Sequence, residues 1–176
     1  MIRFPALFAL CLAAAGLVAG LPPAASAAGD RSGDHRDRTA GSGLSASLTA
    51  EVADQLQRDL DFCAGVDAEF GFDCTKYALR RAGNALDGNT AYRTARMALA
   101  KGDTRLRLAV KDNVDDSRLP RLHGFQIYRP VQPQAVAPLQ DLTAATLDDI
   151  RTAIATAPEQ VGDHFAPLAA ALATGG

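Results

Sequence analysis

The residues of this 176-residue chain whose types could do chemistry are few: three cysteines, three histidines and a set of arginines in its middle third. Cys63 and Cys74 could form a redox pair or a structural bridge. Redox pairs are generally C-x-x-C, with a thiol activated by nearby positive charge. Here ten residues separate the thiols, and Asp61, Asp67, Glu69 and Asp73 surround them. Negative charge disfavours a thiolate, so the spacing and charge point to a structural disulfide. His35, His123 and His164 share no ligand spacing such as H-x-x-x-H, so no metal site is expected. Asp34-His35-Arg36-Asp37 reads as solvated charge, and Asp112-Asn113-Val114-Asp115-Asp116 as an acidic turn lacking the alternation of a calcium loop. No G-x-S-x-G elbow offers a serine nucleophile, and no cofactor motif is present. An enzyme built from scattered residues would draw on Asp112, Arg121 and His123.

Charge provides the other candidate site. Between Ser47 and Asp73 there are seven acids and one base; between Lys76 and Arg129 there are twelve bases and five acids. That contrast allows a basic surface built from Arg80, Arg81, Arg93, Arg96, Arg105, Arg107 and Lys111 that would bind an acidic protein or an anionic envelope component. It equally allows the basic helices to lie between acidic elements that neutralise them, through exposed ion pairs contributing about 0–1 kcal/mol each. No aromatic residues interleave with the arginines as in a nucleic-acid stacking platform, and the net charge of −2 gives no general attraction to polyanions.

The elements that must position these residues follow an export signal. Arg3, an apolar centre over Ala6–Leu21, Pro22-Pro23 and Ala25-Ser26-Ala27 read as a cleavable signal peptide over 1–27. The apolar centre is too short and too diluted by Ala and Gly for a retained anchor, so no transmembrane segment is expected after cleavage. Cleavage near Ala28 removes Cys11 and leaves an even pair of cysteines in an oxidising compartment, periplasmic or extracellular. Residues 28–47 are rich in Gly, Ser, Asp and Arg and read as a flexible linker.

From Leu48 the apolar residues take a helical period. Leu48, Val52, Leu56, Leu60 and Cys63 share one helical face, with Ser47 or Thr49 as cap and Gly65 as stop. A second helix is expected over Asp73–Leu86 with Asp73 as cap, and a third over Thr90–Lys101, ended by Gly102-Asp103. Residues 104–111 alternate like a strand, with Phe125–Tyr128 as the one evident partner, yet the helical context favours helix. Ala82–Leu86 with Tyr92, Ala95 and Leu99 is similar in spacing to a tetratricopeptide unit over about 20 residues. Gly102 and Arg107 break that pattern and no second unit follows, so it reads as an ordinary helical hairpin. Pro130, Pro133 and Pro138 mark a connector over 130–139. Leu142, Leu147, Ile150 and Ile154, then Val161, Phe165, Leu168 and Leu172, form two further stripes, with Pro158 in the first turn of the last helix.

The expected fold is therefore mostly α: a small bundle built on a disulfide-linked helical hairpin. A helical core spans 48–129, and a C-terminal helical pair over 140–174 packs on it. With no catalytic signal, the expected role is a non-enzymatic interaction or structural module of the cell envelope or extracellular space. The alternative is a small enzyme or anion-binding protein using the basic central helices.

Overall fold

The computed structural model describes residues 43–173; the signal-peptide segment and most of the linker lie outside them. Five α-helices form among these residues: α1 (Ala46–Ala64), α2 (Ala68–Ala85), α3 (Arg93–Asp112), α4 (Val136–Ala155) and α5 (Glu159–Ala173). A two-stranded hairpin, β1 (Arg121–His123) with β2 (Gln126–Tyr128), projects between α3 and α4. Each helix packs on the next and α5 returns to α1, closing the bundle into a ring. Its interior holds Leu56, Leu60, Leu79, Leu86, Leu99, Leu106, Ile154 and Leu168, all essentially inaccessible to solvent. Each such side chain stabilises the fold by roughly 1.5–3 kcal/mol relative to exposure.

The α1 stripe is the one read from sequence, but the helix starts earlier. Ser45 is the cap, its hydroxyl accepting from the Leu48 N–H. Thr49 lies inside the first turns and is buried. Its hydroxyl donates to the Ser45 carbonyl and lies 2.8 Å from the Tyr92 hydroxyl. Tyr92 is fully buried, and its hydroxyl also meets the Ser45 carbonyl (2.7 Å) and His164 Nε2 (3.2 Å). It thus ties the start of α1 to the α2–α3 junction and to α5.

Gly65 does end α1. The second helix, however, begins at Ala68 and not at Asp73. Phe70 and Phe72 are both buried, and burying them requires the helical turn that precedes Asp73. Asp73 is consequently an interior residue, buried and ion-paired with Lys76, instead of a cap. Cys63 and Cys74 are joined across the α1–α2 hairpin, with Cα atoms 5.5 Å apart. Cys74 sits two turns into α2 instead of at its opening.

Gly88, at φ +77°, supplies the left-handed residue of the turn that follows α2. Asn89 then caps a short 3-10 turn, Thr90–Tyr92, by accepting from the Ala91 N–H. Helix α3 runs unbroken through Gly102-Asp103, so that pair is not a stop signal. Residues 104–111 are helical, with Leu106 and Val110 continuing the buried stripe of Ala95 and Leu99. Gly102 is there for space: a Cβ would lie 2.4 Å from Ile150 Cδ1 and 3.2 Å from Leu79 Cδ1. The α3 backbone therefore passes directly against α4 and α2.

The region 48–129 is not wholly helical, because residues 121–128 form the hairpin. Arg121 pairs with Tyr128, Leu122 with Ile127 and His123 with Gln126. Gly124, at φ +57°, sits first in the two-residue turn, where a hairpin needs a left-handed residue. The connector over 130–139 is likewise shorter than expected. A 3-10 turn forms at Pro133–Ala135 and α4 starts at Val136. Pro138 is tolerated in the first turn of α4, whose N–H groups lack helical partners anyway. Pro158 lies just before α5, its carbonyl accepting the Gly162 N–H. Phe165, Leu168 and Leu172 face the core as anticipated.

Candidate interaction surface

The hairpin is anchored on one face and bare on the other. Tyr128 is buried among Cys63, Phe70 and Cys74, which places the disulfide directly beneath β2. Burial raises the Tyr128 phenol above its usual range. On β1, the guanidinium of Arg121 lies 4.7 Å above the Phe70 ring and pairs with Asp67 at 2.7 Å. Arg118 covers the same ring and binds Glu69. That hydrogen bond holds the Glu69 carboxyl below its ordinary range and raises Arg118. The His123 ring stacks on Phe62, with centroids 4.3 Å apart. Backbone bonds finish the attachment: the Arg129 N–H donates to Asp73 Oδ2 (3.1 Å) and the Val131 N–H to the Glu69 carbonyl (2.9 Å). Asp73 is buried because it carries this bond and the Lys76 pair together.

Strand alternation sends the intervening residues outward. Leu122 and Ile127, directly opposite one another, are 67% and 62% exposed; Phe125 at the turn is 101% and Leu119 just before β1 is 88%. Four large apolar side chains thus stand in solvent on one small protrusion. Single exposed apolar residues are ordinary, whereas a contiguous group marks a contact surface. Beneath the hairpin, a shallow groove of about 430 Å³ runs over the disulfide, between Phe62, Tyr77 and Arg81 on one side and His123, Gln126 and the turn residue Phe125 on the other.

The seven basic residues picked out from sequence differ in their surroundings. Arg81 pairs with Asp59 (3.3 Å), Arg96 with Asp87 (3.2 Å) and Arg105 with Asp149 (2.7 Å), so these three are neutralised within the fold. Arg80, Arg93, Arg107 and Lys111 are exposed and form no ion pair among the described residues. Arg93 begins α3, far from Lys111 near its end. Arg80 and Arg107 converge with Lys76 on Asp103, whose carboxyl feels all three. Lys111 follows Arg107 by one helical turn. A basic seam therefore runs along α2 and α3, and Asp73 joins it to the root of the hairpin.

Asp103 makes that seam sensitive to pH. Its Oδ1 is shielded from solvent without a hydrogen-bond partner among the described residues. Burial raises its carboxyl above the usual aspartate range, against the pull of Arg80, Lys76 and Arg107. A carboxyl raised in the folded state binds protons more tightly there than in the unfolded chain. It therefore costs stability once ionised, and stability falls as pH rises through the folded value. Asp103→Asn should accordingly raise the urea midpoint near neutral pH, with the gain shrinking as pH falls through the raised folded value and absent below the ordinary aspartate range. Equal midpoints for variant and parent at about pH 7 would contradict this.

The scattered catalytic set does not assemble. Arg121 is held by Asp67 and His123 by Phe62, and no hydrogen bond or ion pair joins Asp112 to either among the described residues. His164 is half-buried at the edge of α5 against Tyr92, and His35 lies outside the described residues. No three His, Cys, Asp or Glu among the described residues are grouped to hold a metal ion. No helix among them is long and apolar enough to cross a membrane. The exposed apolar face was not read from the sequence. Its signal lay in the apolar residues Leu119, Leu122, Phe125 and Ile127 packed around Gly124 within thirteen residues, Ser117–Arg129, that contain no acid. Neither a protein-family model nor a curated protein nor a solved structure matches this chain.

Proposed function

We propose that this protein is an exported, non-enzymatic interaction module of the cell envelope or extracellular space, and that the β1–β2 hairpin is its docking element. The observation that carries this reading is the outward apolar face, Leu119, Leu122, Phe125 and Ile127, on a hairpin fixed to the body by Tyr128, Arg121 and His123. Rigid attachment lowers the ordering cost of binding, and exposed apolar area supplies the gain. The Cys63–Cys74 disulfide supports an oxidising location, and the leader-like segment over 1–27 supports export.

The chain contains no tryptophan, so Phe125→Trp places a single indole at the hairpin tip. Adding a total envelope fraction from source cells should shift its emission to the blue and protect it from iodide quenching. Leu122→Ser with Ile127→Ser should abolish both effects while leaving the helical circular dichroism intact. Unchanged emission across the full range of envelope concentrations would refute the docking role.

A further inference from the structure

Resting on that docking reading, we infer that the partner is an anionic lipid surface, which the apolar hairpin enters while the basic seam of α2 and α3 binds its headgroups. Three observations favour lipid over another protein or a second copy. First, the apolar side chains of the hairpin are highly exposed. Phe125 stands fully exposed at the turn, with Leu122 and Ile127 behind it, and a bilayer interface takes in such a wedge without needing a matching cavity. Second, the cations near the hairpin root include several without an ion-pair partner. Arg129 lies two residues after Ile127, just past the end of β2, and like Arg80 (whose guanidinium lies over the Tyr77 ring), Arg107 and Lys111 it forms no ion pair among the described residues. The acids within the seam are engaged: Asp73 is occupied by Lys76 and the Arg129 N–H, and Asp103, one oxygen of which is shielded from solvent, offsets part of the charge of Arg80 and Arg107. Third, a second copy docked hairpin to hairpin would oppose Arg129 and the seam with their own like charges.

Attachment to anionic lipid generally takes two signals, an apolar insertion and a cluster of cations. Here the two adjoin, because Asp73 holds the hairpin root through the Arg129 N–H and the seam through Lys76. Asp112 and Asp116, exposed just after Lys111 in the sequence, set a limit on how strongly the cations act.

The test uses the Phe125→Trp protein with vesicles of phosphatidylglycerol and phosphatidylcholine, and with phosphatidylcholine alone. Mixed anionic vesicles should shift the indole emission to the blue and carry the protein down on sedimentation, and raised salt should weaken both. Arg107→Gln, Lys111→Gln and Arg129→Gln together should weaken binding by about tenfold or more, given how strongly each cation near such a surface contributes. Circular dichroism and the urea midpoint would confirm that the variant remains folded. Equal binding to phosphatidylcholine alone would overturn the role of the seam. A shift with the envelope fraction but not with anionic vesicles would assign the face to a protein, overturning the lipid partner and sparing the docking reading. A shift that grows with protein concentration without vesicles would assign the face to a second copy. No shift in any condition would overturn both readings.

Discussion

Replacing Cys63 and Cys74 together by serine should lower the stability of the protein by about 2–3 kcal/mol. The bridge closes a short loop, with a sequence separation of 11, so its effect on the unfolded chain is moderate. For a domain of this size, that loss corresponds to a melting point lower by roughly 6–12 °C. A second consequence is local. Cys63 and Cys74 share a buried cluster with Phe70 and Tyr128, the residues on which the hairpin rests. Amide exchange at Gln126–Tyr128 should therefore quicken by more than the global loss accounts for. Thermal unfolding by circular dichroism, with and without reductant, checks the first part. A double variant melting within a degree or two of the parent would show that the bridge adds little.

Gly102→Leu should be about as damaging, for the opposite physical reason. A Cβ at this position already lies 2.4 Å from Ile150 Cδ1 and 3.2 Å from Ile150 Cγ1 and Leu79 Cδ1. A leucine must displace the Ile150 and Leu79 side chains packed against the α3 backbone, and overpacking of this kind costs about 1–3 kcal/mol, at times more. The better helix propensity returns only about 0.8–1 kcal/mol. We expect a net loss of about 2 kcal/mol or more, read as a lower urea midpoint. Gly102→Ala with Ile150→Val separates the causes, since valine lacks the nearest carbon. The pair should be less destabilised than the sum of the two single variants, a coupling that neighbouring residues show and distant ones do not. Strict additivity would mean that the contact is not the source of the loss.

These two positions also show what the sequence makes legible. The disulfide could be argued from a residue count, a compartment and the local charge, all of which are properties of the chain itself. Gly102 could not. Gly-Asp after an amphipathic stretch has the composition of a helix stop, and only the approach of Ile150, 48 positions later, turns it into a packing glycine. Asp73 misled in the same way: its type suits a cap, but burial of Phe70 and Phe72 carries the helix past it. The α1 stripe and the two C-terminal stripes were legible because long periodic segments state their buried face directly. The hairpin was not, since its strands have three residues each and point their apolar side chains to solvent, against the pattern by which strands are recognised. Among the basic residues, composition could not separate Arg105, whose acid lies on α4, from Arg107, which forms no ion pair among the described residues.

The return of α5 onto α1 bears on the order in which the chain can fold. A chain released N-terminus first, from a ribosome or through a translocation pore, presents α1 long before α5 exists. Until then Val52, Leu56 and Leu60 have only α2 for shelter, and the start of α1 awaits half of the Tyr92 contacts, which come from His164 and Phe165. The bundle is thus a clasp whose last helix is also its fastener. A chain stalled or clipped before Glu159 would keep its disulfide and its hairpin but leave an apolar seam open. For such a chain, a chaperone would serve chiefly to keep that seam covered until the C-terminus arrives.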